Sequence, residues 1–188
     1  YSLIGGLHMA QFGGNAVRWL YCLMGIAGCV MLASGLQVWI RKRAARIEAA
    51  PFVSGYSLVS LLNVGVVAGM PFAVATMLLA NRLLPVGMAE RAQAEIAVFC
   101  LAWAAALLWA AIRWRQRSAW RDLFAATAAV LFAIPALNFL LTENSHLSAS
   151  LTSGNTVIAA IDIMLLIAGL AFALMARRCN KRLTGEMR

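Results

Sequence analysis

Five long apolar stretches dominate this chain, at residues 16–40, 58–80, 95–112, 123–141 and 157–176. Each approaches or exceeds the roughly 20 residues that an α-helix needs to cross a bilayer. They predict an all-α fold, a polytopic integral membrane bundle of about five helices, with 1–188 read as one transmembrane domain. Composition agrees, because 63% of the residues are apolar and 12% are charged, whereas about a quarter are charged in an ordinary soluble domain. The first stretch is the clearest. Trp19 and Trp39 stand twenty residues apart, about 30 Å along a helix, so one aromatic falls at each edge of the hydrocarbon layer.

The basic residues orient these spans. Arg41, Lys42, Arg43 and Arg46 follow the first; Arg113, Arg115, Arg117 and Arg121 join the third to the fourth; Arg177, Arg178, Lys181, Arg182 and Arg188 follow the fifth. In a five-span topology, 13 of the 16 Lys and Arg residues therefore lie on one side, with Arg18, Arg82 and Arg91 on the other. By the positive-inside rule the rich side is cytoplasmic, which makes the N-terminus periplasmic and the C-terminus cytoplasmic. The net charge of +9 is thus read as topology signal and headgroup anchoring, not as nucleic-acid binding. The lipid bilayer is the expected partner.

Motif chemistry narrows the function by exclusion. The sequence contains no C-x-x-C-H for covalent haem, no H-E-x-x-H, no G-x-S-x-G and no nucleotide-binding glycine loop. Cys22 and Cys29 are seven residues apart on one helical run, about 10 Å between Cα atoms, too far for a disulfide. They read as small packing residues. Tyr1 is neither a methionine nor the start of a signal peptide, so the chain is expected to be part of a longer polypeptide.

Inside the spans, Gly25, Gly28 and Gly35 mark the first helix, and Gly65 with Gly69 makes a G-x-x-x-G in the second. Such faces let another helix approach closely, or accommodate a flat cofactor. Polar residues are few: Asn63, Thr76, Asn138 and Asp162. A carboxylate at Asp162, in the outer half of the fifth span, is costly unless paired, protonated or reached by water. It reads either as a proton-relay or ligand-orienting group, or as a structural residue partnered by Asn138 or Arg82. His8 precedes the first span and His146 lies between the fourth and fifth, so both are expected on the periplasmic side. Imidazole is a usual axial ligand for haem, and equally an ordinary interfacial residue.

The run "LHMAQFGGNAVRWLYCLMGIAGCVMLASGLQVWIRKR" resembles the helix that follows the periplasmic domain in PepSY-associated transmembrane proteins. It carries a histidine, a glycine pair, Arg-Trp, glycine-punctuated apolar residues and a terminal basic cluster. "LLNVGVVAGMPFAVATMLLANRLLP", "FCLAWAAALLWA" and "LNFLLTENSHL" are similar to later helices of the longer members, so the resemblance spans residues 7–178. It implies an inner-membrane protein of iron uptake, with members that look like haem-containing reductases of ferric siderophores supplied by an inner-membrane or cytoplasmic electron donor. His8 matches the motif histidine and becomes the expected axial ligand of haem b; His146 matches a less certain position as a second cofactor-binding residue. The resemblance identifies no catalytic residue. Family members begin with a further membrane helix bearing its own histidine and then a PepSY domain, neither of which is in these 188 residues. With both histidines on one side, the segment by itself is expected to hold at most one outer haem. The alternative is a cofactor-free membrane scaffold or assembly subunit that anchors a periplasmic domain near an uptake system.

Overall fold

The computed structural model describes residues 14–49, 54–113, 118–141 and 156–185, and every regular element among them is an α-helix. In chain order these are α1 (Gly14–Lys42), α2 (Ala44–Ala49), α3 (Gly55–Val67), α4 (Gly69–Leu83), α5 (Arg91–Ile112), α6 (Ser118–Leu141) and α7 (Thr156–Gly185). Five stretches are long and apolar enough to cross a membrane: Ala16–Lys42, Gly55–Leu83, Arg91–Ile112, Ser118–Leu140 and Ala159–Lys181. Each expected span lies inside one of the helices or, for the second, inside the α3–α4 pair. The helices run several residues further, because apolar composition stops at the hydrocarbon edge while backbone hydrogen bonding continues into the polar interface.

The second span is the one with an internal break. The helical bonds of α3 run as far as Ala68, whose N–H donates to the Val64 carbonyl at 2.9 Å. Pro71 then supplies no N–H for the carbonyl of Val67, and α4 restarts at Gly69. Here a proline in the first turn of the new helix is tolerated where it would disrupt a helix interior. Pro135 does stand in an interior, that of α6. At the other end of the chain, Gly14 opens α1 with φ of +61°, a left-handed conformation that favours glycine.

The described helices fall into two compact units, α1 with α2 in the first and α3 to α7 in the second. In the second unit, α4 packs between α5 and α6, α3 lies against α5, and α6 pairs extensively with α7. Its interior is built largely of alanine: Ala68, Ala73, Ala75, Ala106, Ala110, Ala119, Ala128 and Ala159 are all buried, while many leucines and isoleucines stay exposed. That inversion of the soluble pattern follows from the solvent. Lipid tails are as apolar as leucine, so helices associate through close van der Waals contact between small residues. Larger residues fill one thicker region, where Leu123 and Phe124 meet Ala68, Ala106 and Ala176. There the Phe124 ring lies 5.7 Å from Trp120 and 5.8 Å from Phe172.

Glycines set the closest approaches. A Cβ at Gly65 would overlap the Leu107 side chain, and one at Gly69 would stand 2.9 Å from the Ala106 Cβ. The Gly65 carbonyl also accepts a hydrogen bond from the Trp103 indole N–H at 3.1 Å. The G-x-x-x-G face is therefore a helix-packing surface occupied by α5. On α1 the result is opposite, since a Cβ at Gly25, Gly28 or Gly35 would meet nothing within 4 Å.

One end of the second unit is basic and tied by side chains. Arg121 donates from Nε and Nη2 to Asp122 Oδ1 at 2.9 and 2.7 Å, and from Nη1 to Asn180 on α7 at 3.2 Å. Arg113 donates to Ser118 at 3.1 Å and stacks 4.8 Å over the Trp109 ring. In the first unit, Arg43 stacks over Trp39 at 4.4 Å. The four cysteines are free, with Cys22, Cys29 and Cys100 exposed.

These contacts separate two kinds of glycine. Gly69→Ala forces α4 and α5 apart and is expected to lower stability by about 1–3 kcal/mol, whereas Gly28→Ala leaves it unchanged or slightly raised. Thermal unfolding of the two variants in detergent checks this, and equal midpoints would remove the packing role from Gly69.

Candidate functional site

The most deeply buried ionisable side chain among the described residues is Asp162 on α7, which is completely buried. Two turns of helix bring it beside Asn138 on α6, which is 3% exposed and donates from Nδ2 to Asp162 Oδ1 at 2.9 Å. The second carboxyl oxygen, Oδ2, has no hydrogen-bond partner among the described residues. Of the two partners expected for Asp162, the structure selects Asn138. Arg82 is exposed.

Arg82 instead helps line a cleft of about 210 Å³ at the end of the unit opposite the Arg113–Arg121 cluster, together with Asn81, Leu84, Val86, Arg91, Leu137 and Asn138. Arg91 is fixed in place. Its Nε donates to Glu95 Oε1 at 3.0 Å, its Nη2 bonds the Asn81 carbonyl, and Asn81 Nδ2 reaches the same Glu95 oxygen at 2.9 Å. Asn138 thus connects the cleft with the buried carboxyl, one face lining the opening and its amide nitrogen spent on Asp162.

The remaining interior polar groups turn to their own helices. Thr76 donates to the Phe72 carbonyl and Thr127 to that of Leu123, both at 2.8 Å, the usual way a threonine is satisfied within a membrane helix. Ser54 caps α3 by accepting from the Ser57 N–H at 3.2 Å. Asn63 is different: it is 3% exposed, and neither its Nδ2 nor its Oδ1 is hydrogen-bonded among the described residues.

His8 and His146 both lie outside the described residues. A haem can be tested only against the glycine faces. The Gly65–Gly69 face is filled by α5 and has no room for a ring, whereas a Cβ at Gly25, Gly28 or Gly35 of α1 would meet nothing within 4 Å. The Asn81–Arg91–Glu95 network was not apparent in the sequence. Its signal was Arg91 and Glu95 four residues apart, an i,i+4 ion pair. The Trp103 bond to Gly65 left no sequence signal, since an indole in an apolar run reads simply as bulk.

Taken together, the helices define a multi-pass α-helical membrane protein in contact with the lipid bilayer. Residues 1–42 match the family described as PepSY-associated TM region, a match that ends where α1 ends. The chain is also 34% identical over 85 residues to the Uncharacterized protein PA4219 of Pseudomonas aeruginosa. That alignment takes in 42% of this chain and 20% of the relative, so the chain spans about a fifth of the length of the protein it resembles. No solved structure matches it.

The Asn138–Asp162 pair yields a stability test. Asn138→Leu leaves a buried carboxyl without its donor and is expected to cost about 1–3 kcal/mol. Adding Asp162→Leu removes the stranded group, so the double variant should be more stable than the sum of the single changes. Unfolding midpoints of the four proteins measure the coupling, and strict additivity would show that the bond contributes nothing.

Proposed function

We propose that this chain is the membrane portion of a PepSY-type protein of the bacterial inner membrane, which holds b-type haem and passes electrons to periplasmic ferric siderophore iron. The observation that carries the reading is the match of residues 1–42 to the PepSY-associated membrane region, because that stretch contains His8 immediately ahead of α1. Haem, when bound, supplies a one-electron relay whose potential is set by its axial ligands and surroundings.

The chain's own residues would divide the remaining work. The His8 imidazole would hold the haem iron, and His146 would be a further cofactor-binding residue. The apolar surface of the spans would keep water and protons away from the electron path. The asymmetric arginine and lysine clusters would hold the bundle with its C-terminus in the cytoplasm, facing the electron donor. One electron converts ferric to ferrous iron, which oxygen-donor siderophores hold far less tightly, and the metal is thereby released.

A cofactor-free scaffold anchoring a periplasmic domain is the second reading. It is favoured by the way interior polar groups of the second unit are spent on one another, with Asp162 bonded to Asn138 and Thr76 and Thr127 bonded to their own backbone.

A dithionite-reduced minus oxidised spectrum separates these readings. The full-length parent, purified in detergent from cells supplied with haem, is expected to show a b-type signal that His8→Ala abolishes. Full haem content in the variant would overturn the assignment of His8, and a colourless parent would leave the scaffold.

A further inference from the structure

A carboxyl buried within a membrane-spanning helix needs a counter-charge or a proton. Asp162 is completely buried; its Oδ1 accepts from the neutral Asn138 amide at 2.9 Å, and its Oδ2 has no partner among the described residues. The helix packed along α7 is α6, which presents Asn138 at this level. The nearest charged residue on α6, Asp122, stands sixteen residues from Asn138, about 24 Å along the helix. On α7 itself the nearest is Arg177, fifteen residues on and about 22 Å away. α4 and α5 bring Arg82, Glu90, Arg91 and Glu95 to the same end of the unit as Asp162, but Arg91 is committed to Glu95 and the Asn81 carbonyl, while Arg82 and Glu90 are exposed.

The surroundings select among the possible counter-charges. A hard metal cation needs a cage of several oxygens. The described residues provide none here: the Thr76 and Thr127 hydroxyls are spent on the Phe72 and Leu123 carbonyls, and no three His, Cys, Asp or Glu side chains converge. A proton needs only one oxygen. With Oδ1 accepting from Asn138 as a carbonyl oxygen does, Oδ2 is the atom left to carry it.

A route to that atom starts at the cleft of about 210 Å³, whose lining includes Asn138. The opening has room for several waters, at roughly 30 Å³ each. Its end of the unit is balanced in formal charge, Arg82 and Arg91 against Glu90 and Glu95, so no excess of either sign excludes a proton. We propose that Asp162 is a proton-binding site that exchanges with water in this cleft, with Asn138 as the side chain between the two. Reorientation of that one amide brings cleft water to the carboxyl. The exchange is one-sided. Further along α6 the buried Ile134, Leu131 and Ala128 follow Asn138, and a Cβ at Gly169 on α7 would stand 3.0 Å from the Phe132 ring, so the α6–α7 seam is apolar and closed beyond the acid. The site belongs to α6, α7 and the cleft, and it depends on neither haem nor either histidine.

The test is infrared spectroscopy of the 188-residue chain, folded in detergent and isotope-labelled at its aspartate carboxyl carbons. Asp122 and Asp162 are its only aspartates, so Asp122→Asn leaves the Asp162 signal alone. At neutral pH that signal is expected to be the C=O band of a carboxylic acid, to shift downward in deuterium oxide, and to vanish in Asp162→Asn. Asn138→Ala, which removes the side chain between cleft and carboxyl, is expected to speed the deuterium shift. A carboxylate band from Asp162 at neutral pH would overturn the proposal, because no proton is then held. An acid band that stays unshifted in deuterium oxide would overturn it as well, because the carboxyl is then sealed. Both of these outcomes are read with Asp162 and Asn138 intact, so they stand even where an Asn138 variant fails to fold. An unchanged exchange rate in a folded Asn138→Ala protein would overturn the route through the cleft.

Discussion

Lipid offers no hydrogen bond to a peptide group, and the described parts of this chain answer that constraint by closing their backbone bonds within helices. From this everything else follows. Once the backbone is satisfied locally, burial of apolar side chains no longer distinguishes the interior from the surroundings, and helix association depends on how closely two backbones can approach. The alanine-lined interior of the second unit and the contacts of Gly65 and Gly69 with Leu107 and Ala106 are the outcome. Polar side chains obey the same requirement. Thr76 and Thr127 bond to carbonyls one turn back on their own helix, and Trp103 takes the Gly65 carbonyl. That bond forms close to the interruption between α3 and α4, where Pro71 has already removed one regular backbone donor.

This dependence on the solvent explains what the sequence discloses and what it does not. Span number is readable because twenty apolar residues have few alternatives, and all five expected spans fall within observed helices. The interruption at Ala68 was signalled by Gly69 and Pro71, yet apolar composition carries straight through it, so the second span read as one piece. Packing partners are harder. Gly28 and Gly65 look alike in the sequence, but a Cβ at Gly28 would meet nothing within 4 Å while Gly65 is filled by Leu107; the difference lies in α5 packing on α3, and a single chain's composition does not encode that pairing. The partner of Asp162 was narrowed to Asn138 or Arg82 by proximity in the topology, and only side-chain geometry chose between them. His8 and His146 fall outside the described residues, so the haem reading rests on the resemblance of the first segment and on the family match.

The two ends of the second unit handle charge differently, and the contrast bears on what each can do. At the Arg113–Arg121 end, Asp122 and Asn180 occupy the Arg121 donors, Ser118 takes one from Arg113, and Trp109 stacks beneath Arg113. Those arginines are committed to joining helices. At the opposite end one carboxylate oxygen, that of Glu95, accepts from both Arg91 and Asn81.

Asn138 joins these two regimes. A leucine there would strand the buried Asp162 carboxyl without its donor, at a cost of about 1–3 kcal/mol. An arginine there would compensate the carboxyl and place a third positive charge beside Arg82 and Arg91. The amide meets both demands, because it donates to Asp162 without adding charge to the cleft. The same side chain that stabilises a buried acid therefore lines the opening without adding charge to it, which follows from its position between a fully buried carboxyl and the exposed Arg82.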